Sequence, residues 1–328
     1  MKTFRKVALI ALLAGILSFL VVPLLIPETT SGTMTNVEAA GPKGEFETLA
    51  GLGVHVERAA FTGNSDEPAP LIVLMHGFGA STYSWRDVIQ PLAEFGDVIA
   101  YDRPGFGLTD RPTSWEEVNP YGFEGNFALL DELISKFGVG RDVVLVGHSA
   151  GGQLAAEFAR LNPSKVQALI LVDPAILTTG GGPDGLTWLY EIPQIKKLGP
   201  ILVSSIATSG MDLLRESYFD KSQLTPEVLE GYQRPLKVKG WEVGFWNFAT
   251  APRTNDLADN LGELKMPTLL ITGSNDTVVP TSDTVKLDTL IPNSVLEIIE
   301  DSAHLPQEEK PKEFLAAILR NWPSLMLR

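Results

Sequence analysis

Ser149 stands in Gly147-His148-Ser149-Ala150-Gly151-Gly152, a hydroxyl among small residues at the end of the apolar run 143–146. A serine hydroxyl is hardly ionised near neutral pH, so it becomes a nucleophile only beside a base that takes its proton. The chain has four histidines to offer, His55, His76, His148 and His304. His148 adjoins the serine, and strand alternation points it elsewhere. His76 opens His76-Gly77-Phe78-Gly79, where backbone N–H groups are wanted more than an imidazole. His55 lies in the alternating segment 54–58 and reads as a surface residue. His304 follows the last apolar strand in Ala303-His304-Leu305-Pro306 and is the base expected.

An imidazole base needs an acid that fixes its tautomer and stabilises its protonated form. Asp276 follows the run 269–272 in Gly273-Ser274-Asn275-Asp276-Thr277. Asp173 follows the run 168–172 at the same sheet edge and competes with it. The chain order Ser149, Asp276, His304 favours Asp276, with Asp173 capping local backbone. Attack on a carbonyl builds charge on oxygen, which two fixed N–H donors stabilise. The N–H groups of Ala150 and Phe78 are the candidates, because Gly77 and Gly79 let their loop approach closely. Asp102-Arg103-Pro104-Gly105-Phe106-Gly107 reads as structural support. No metal cluster, phosphate loop or dinucleotide spacing is visible, so no metal or cofactor is expected.

Such groups need a strand, a tight turn and a helix to place the serine at an apex. Continuous apolar runs at 71–75, 98–101, 143–146, 168–172, 269–272 and 295–299 suit strands buried on both faces. Helical patterns lie between them at 84–95, 121–137, 151–161, 281–290 and 311–322. The alternation predicts an α/β fold with a doubly wound, mostly parallel sheet. One interval, 177–265, has no convincing buried strand. It opens on a hinge-like Gly-rich segment at 178–183, and Thr225-Pro226-Glu227 starts a helix within it. Its length predicts a helical cap over the C-terminal sheet edge, where ligands bind in open α/β folds. Trp188, Trp241, Phe245 and Trp246 are its candidates for an apolar substrate pocket. The core is then 45–176 with 266–328.

Lys2, Arg5 and Lys6 precede residues 7–26, which carry no charge. A helix of that length spans roughly the 30 Å of a bilayer's hydrocarbon core. The basic flank places the N-terminus in the cytoplasm and the bulk outside. Residues 1–26 therefore read as an uncleaved anchor in preference to a cleaved signal, whose apolar region is usually shorter. Residues 27–44, rich in Thr, Ser and Gly, read as a flexible linker. The net charge of −14 argues against a nucleic-acid partner. The absence of cysteine excludes thiol catalysis and disulfides.

From about residue 45 onward the chain resembles the α/β-hydrolase superfamily, in its capped branch of esterases, carbon–carbon hydrolases, epoxide hydrolases and haloalkane dehalogenases. The motifs that carry the resemblance are HGFG at 76–79, DRPGFG at 102–107, GHSAGG at 147–152, GSNDTVVP around Asp276, and His304. Epoxide hydrolases and dehalogenases of this branch carry an aspartate where Ser149 stands, so the resemblance disfavours those two activities. It implies a serine hydrolase acting on a carboxylic ester of a small, fairly apolar molecule. A carbon–carbon hydrolase, a thioesterase or a perhydrolase fits the same triad. A catalytically silent, membrane-tethered binding protein is the reading from another class.

Overall fold

The computed structural model describes residues 2–27, 31–64, 68–177, 187–190, 192–204, 206–252 and 255–327. Eight strands form one sheet: β1 (Glu45–Leu49), β2 (Leu52–Ala59), β3 (Leu71–Met75), β4 (Asp97–Tyr101), β5 (Val143–His148), β6 (Ala168–Val172), β7 (Thr268–Gly273) and β8 (Ser294–Ile299). Their spatial order is β1-β2-β4-β3-β5-β6-β7-β8. The hairpin β1–β2 and the β2–β4 pair are antiparallel, and every other pair is parallel. All five residues of β3 and of β6 are buried, as a strand covered on both faces requires. Alternation assigns their side chains to two cores. Leu71, Val73 and Met75 join one face, while Ile72 and Leu74 join the other.

The helices are α1 (Lys2–Leu25), α2 (Asn36–Ala40), α3 (Ile89–Leu92), α4 (Phe123–Phe137), α5 (Ala150–Leu161), α6 (Thr187–Tyr190), α7 (Pro193–Val203), α8 (Ile206–Glu216), α9 (Pro226–Gln233), α10 (Trp241–Thr250), α11 (Thr281–Leu290), α12 (Pro306–Glu309) and α13 (Pro311–Leu325). The described part of 177–265 holds α6 to α10 and four 3₁₀ turns, with no strand, as expected of a helical cap. Thr225 caps α9 by accepting from Val228 N, with Pro226 in the first turn. The hinge-like segment 178–183 lies outside the described residues.

Three expectations need correction. The helix expected over 84–95 is only a 3₁₀ turn, Thr82–Trp85, followed by the four-residue α3. Pro91 inside that stretch has no N–H to extend an α-helical ladder. Strand β1 escaped notice because its residues EFETL are mostly solvent-facing and lack an apolar run. It is held by a two-residue turn whose Ala50 and Gly51 both take positive φ, 48° and 75°. That conformation matches the twist of an antiparallel hairpin. The third correction concerns 27–44. Thr33 N and Met34 N donate to Lys237 O, and Lys239 N donates to Met34 O. α2 then carries a complete capping box between Thr35 and Glu38. These backbone bonds dock residues 33–40 on the cap, where a free linker was expected.

His55 is also misplaced by the sequence reading. It is buried, and its Nδ1 lies 2.9 Å from Asp102 Oδ2. Alternation correctly turns it away from Val54 and Val56, but β2 is an inner strand with its other face covered. Asp102 also accepts from the backbone N–H groups of Thr82 and Leu108. Burial alone would lower the His55 pKa, but the hydrogen bond and charge of Asp102 outweigh it and leave it raised. Burial pushes Asp102 up, and the bond and charge of His55 hold it below the ordinary carboxylate value. The pair therefore stabilises the fold fully between about pH 4 and 6.5, and loses His55's share as pH rises through its raised pKa. His55→Gln is expected to lower Tm most at pH 5–6, with the deficit shrinking towards pH 8. A deficit equal at all pH values would contradict the ion pair.

Candidate active site

The junction of β5 and α5 is a sharp elbow. Ser149 sits there with φ 52° and ψ −119°, a conformation that costs a non-glycine residue on the order of 1–2 kcal/mol. The strand ends at His148 and the helix begins at Ala150, so the serine occupies the apex. Close packing maintains the strain. A Cβ on Gly151 would lie 2.3 Å from Met75 O, and one on Gly77 would lie 3.1 Å from Ser149 Cβ. The loop after β3 is therefore pressed directly against the elbow, which only glycine permits.

That loop has a defined peptide orientation. His76 Nδ1–H donates to Gly77 O at 2.8 Å, and Arg103 Nη2 donates to the same oxygen at 3.2 Å. His76 Nε2 in turn accepts from Arg103 N at 3.0 Å. Burial, with the positive charge of Arg103 second, holds the His76 pKa down at about 3. The neutral ring is thus donor on one nitrogen and acceptor on the other. Because a trans peptide is planar, fixing Gly77 C=O turns the Phe78 N–H in the opposite direction. Asp102 and Arg103 serve the structural purpose expected of their motif.

The residues expected as base and acid meet across two loops. His304 Nδ1 and Asp276 Oδ2 are 2.7 Å apart, both buried. The other oxygen of Asp276 accepts from Val278 N at 2.8 Å and Val279 N at 3.1 Å, so the carboxylate cannot turn. Its acceptor role fixes the proton of His304 on Nδ1 and leaves Nε2 free to take a proton. The competitor, Asp173, sits nearby with φ 43° and accepts from Thr272 Oγ1 at 2.6 Å and Gly273 N at 3.2 Å. Burial first, and then the negative charge of Asp276, push its pKa well above the carboxylate range. Its donors lie at the end of β7, about a hundred residues along the chain, where capping of local backbone was expected.

His148 does not point away from the site as alternation suggests. Its ring lies 4.7 Å from that of His304, and its Nε2–H donates to His304 O at 2.7 Å. Burial lowers its pKa well below the usual imidazole value, with His304 the next cause. It is a strut under His304, and a carbonyl acceptor gave no sequence signal for it. On the cap side, His304 N donates to Ser217 O at 3.0 Å.

Ser149, His148, His304 and Phe78 line one cavity with about 950 Å³ of empty space, its mouth included. Trp241 and Phe245 belong to its wall, as expected of the cap. Trp246 does not. Its ring packs on Gly199 of α7, where a Cβ would come within 2.1 Å, and meets Tyr190 edge-on. One helical turn cannot point Phe245 and Trp246 the same way. Trp188 falls in α6, but its side chain lies outside the described residues. The wall is completed by Met211, Leu214, Tyr232 and Leu236 of the cap and by Leu305, none of which stood out in the sequence. No Lys or Arg lines the cavity among the described residues.

A sequence profile described as "alpha/beta hydrolase fold" matches residues 70–311. The chain belongs to the α/β-hydrolase family. Its relatives carry the names of hydrolases, and this chain is a hydrolase too. It is 29% identical over 260 residues to a 2-hydroxy-6-oxo-2,4-heptadienoate hydrolase of Pseudomonas putida, covering 75% of this chain and 87% of that one. It is 25% identical to a monoacylglycerol lipase of Xenopus laevis, covering 74% and 72% of the two chains. Among solved structures, a membrane phospholipase A described as a bacterial virulence factor superposes with a TM-score of 0.64 at 25% identity, covering all of both chains.

Proposed function

We propose that this hydrolase cleaves carboxylic esters with an apolar acyl group, through an acyl-enzyme on Ser149, while tethered to a membrane by α1. The observation that carries the reading is the strained serine opening on the same cavity as a histidine already locked to a carboxylate. Ser149 Oγ attacks the acyl carbon as His304 Nε2 takes its proton. The N–H groups of Phe78 and Ala150 hold the oxyanion, the second because it is the first N–H of α5 and has no intrahelical acceptor. His304 then gives its proton to the departing alcohol. In the second half it deprotonates water, which attacks the acyl carbon and releases the acid.

The wall chemistry selects among substrates. Phe78, Met211, Leu214, Leu236, Trp241 and Phe245 offer an apolar acyl chain a dry surface. Carbon–carbon cleavage is the second reading, and the P. putida relative supports it. Its substrate bears a carboxylate by name, and a buried carboxylate requires a cation that this wall lacks among the described residues. A panel of p-nitrophenyl esters of two to twelve acyl carbons, run beside a vinylogous-diketone dienoate, separates the two. The expectation is ester turnover with a preference for medium or long chains and no dienoate cleavage. Preferential dienoate cleavage would sink the ester reading.

Three features support the tether. Within α1, the stretch Thr3–Leu25 contains an 18-residue window of mean hydropathy 2.8, of which only 6% is buried. Its C-terminal part meets the cap, where Gln194 of α7 donates to Leu20 O at 3.0 Å. The alignment with the membrane phospholipase A spans this segment as well. The cap would then sit at the outer membrane surface, close to apolar substrate. The mature protein is expected to retain the mass of residues 1–328 and to stay in the membrane after carbonate washing. A mass lacking the first 25 residues or more would contradict an anchor.

A further inference from the structure

The base loop runs straight into two adjacent buried carboxylates, Glu308 and Glu309, which the reaction itself does not use. Glu309 holds two separate backbones together. Its Oε1 accepts from Ala303 N at 2.7 Å, the residue before His304, and from Ser302 Oγ at 3.4 Å. Its Oε2 accepts from Phe219 N at 2.7 Å and Asp220 N at 3.1 Å, both in the cap. Glu308 faces a different set of donors. Its Oε2 accepts from Arg86 Nη1 and from Tyr218 OH, each at 2.5 Å. Its Oε1 accepts from Tyr232 OH, also at 2.5 Å. Tyr232 lines the substrate cavity, and Arg86 belongs to the core beside Thr82–Trp85.

We propose that Glu309 is a positioning residue for His304, and that Glu308 positions the cap wall and so sets substrate fit. This rests on His304 being the base. A charged group buried with four donors around it is costly to place and rigid once placed. Glu309 meets that condition with donors drawn equally from the His304 loop and the cap, so it fixes the height of the base over Ser149. His304 N on Ser217 O, His304 O on His148, and Glu309 on Ala303 N and Ser302 Oγ together suspend the base loop between cap and elbow by four bonds. The Glu308 carboxylate takes its donors elsewhere, from Arg86, Tyr218 and Tyr232, and only its main-chain N–H meets the loop, at Leu305 O. Its two phenols come from the cap, and its guanidinium anchors them to the core. Burial raises the pKa of both phenols, so they remain donors throughout the working range.

The two carboxylates therefore predict opposite kinetic signatures from neighbouring positions. Glu309→Gln is expected to lower kcat about 10- to 100-fold with KM within about threefold, because small misplacement of a base is expensive. Glu308→Gln is expected to raise KM about 5- to 10-fold for long-chain esters with kcat within about threefold. Each rate is expressed per site labelled by a fluorophosphonate, so misfolded protein does not count. Should Glu308→Gln not fold, Tyr232→Phe carries the same expectation, and Glu309→Asp, which shortens the reach, replaces Glu309→Gln. Identical kcat and KM shifts in the two variants, or kinetics per labelled site equal to wild type, would overturn the assignment. A wild-type enzyme that takes no label would instead refute the serine mechanism itself.

Discussion

Ser149→Ala is expected to lose about 10⁴- to 10⁶-fold in kcat on p-nitrophenyl esters, some 5–8 kcal/mol of transition-state stabilisation. The hydroxyl is the only group in the arrangement that can carry the acyl chain, because His304 is committed to Asp276 and His148 to a carbonyl. The residual rate comes from the oxyanion donors and from substrate binding. Folding is not expected to suffer. Alanine at a positive φ of 52° bears the same strain as serine, and no bond from the serine side chain supports the elbow cap. A wild-type Tm with activity near the uncatalysed rate is therefore the pair of results to look for. Retention of most activity would remove Ser149 from the mechanism.

Asp276→Asn is expected to cost about 10⁴-fold in kcat, while Asp173→Asn stays within about threefold. At 276, the amide oxygen replaces the acceptor held by Val278 N and Val279 N, and its NH₂ then faces His304 Nδ1. The imidazole must accept on that side, which moves its proton to Nε2 and leaves nothing to take the serine's proton. At 173 burial and the charge of Asp276 push the carboxyl's pKa up, so an uncharged amide is a small change there. Asparagine has the same shape and keeps an oxygen for Thr272 Oγ1 and Gly273 N. The two aspartates end neighbouring parallel strands, β6 and β7, so their contrast tests the assignment of the acid directly. Reversed magnitudes would make Asp173 the acid.

The sheet was legible because its inner strands are unbroken apolar runs, and the serine, acid and base each follow one of those runs. What escaped were elements whose sequence carries no such signal. β1 is polar and solvent-facing, and residues 33–40 are ordered through main-chain bonds to the cap that composition does not encode. His55 shows the limit of alternation, which gives the face of a strand but not what covers that face. His148 shows the same limit, since the strand ends in a turn that swings its ring beneath His304. In the cap, type and spacing singled out Trp241, Phe245 and Trp246 alike, yet the first two line the cavity and Trp246 faces Gly199. Glu308 and Glu309 carry no sequence signal of burial, since their donors come from the cap, the core and the His304 loop.

An acyl-enzyme on Ser149 implies a hydroxyl that reacts covalently with phosphonate electrophiles. Incubating the protein, residues 1–328, with a fluorophosphonate probe, followed by intact mass and peptide mapping, is expected to give one adduct, on Ser149. The adduct should be absent from Ser149→Ala and strongly slowed in Asp276→Asn. Absence of labelling in the wild type, or an adduct on any other residue, would rule out Ser149 as the nucleophile.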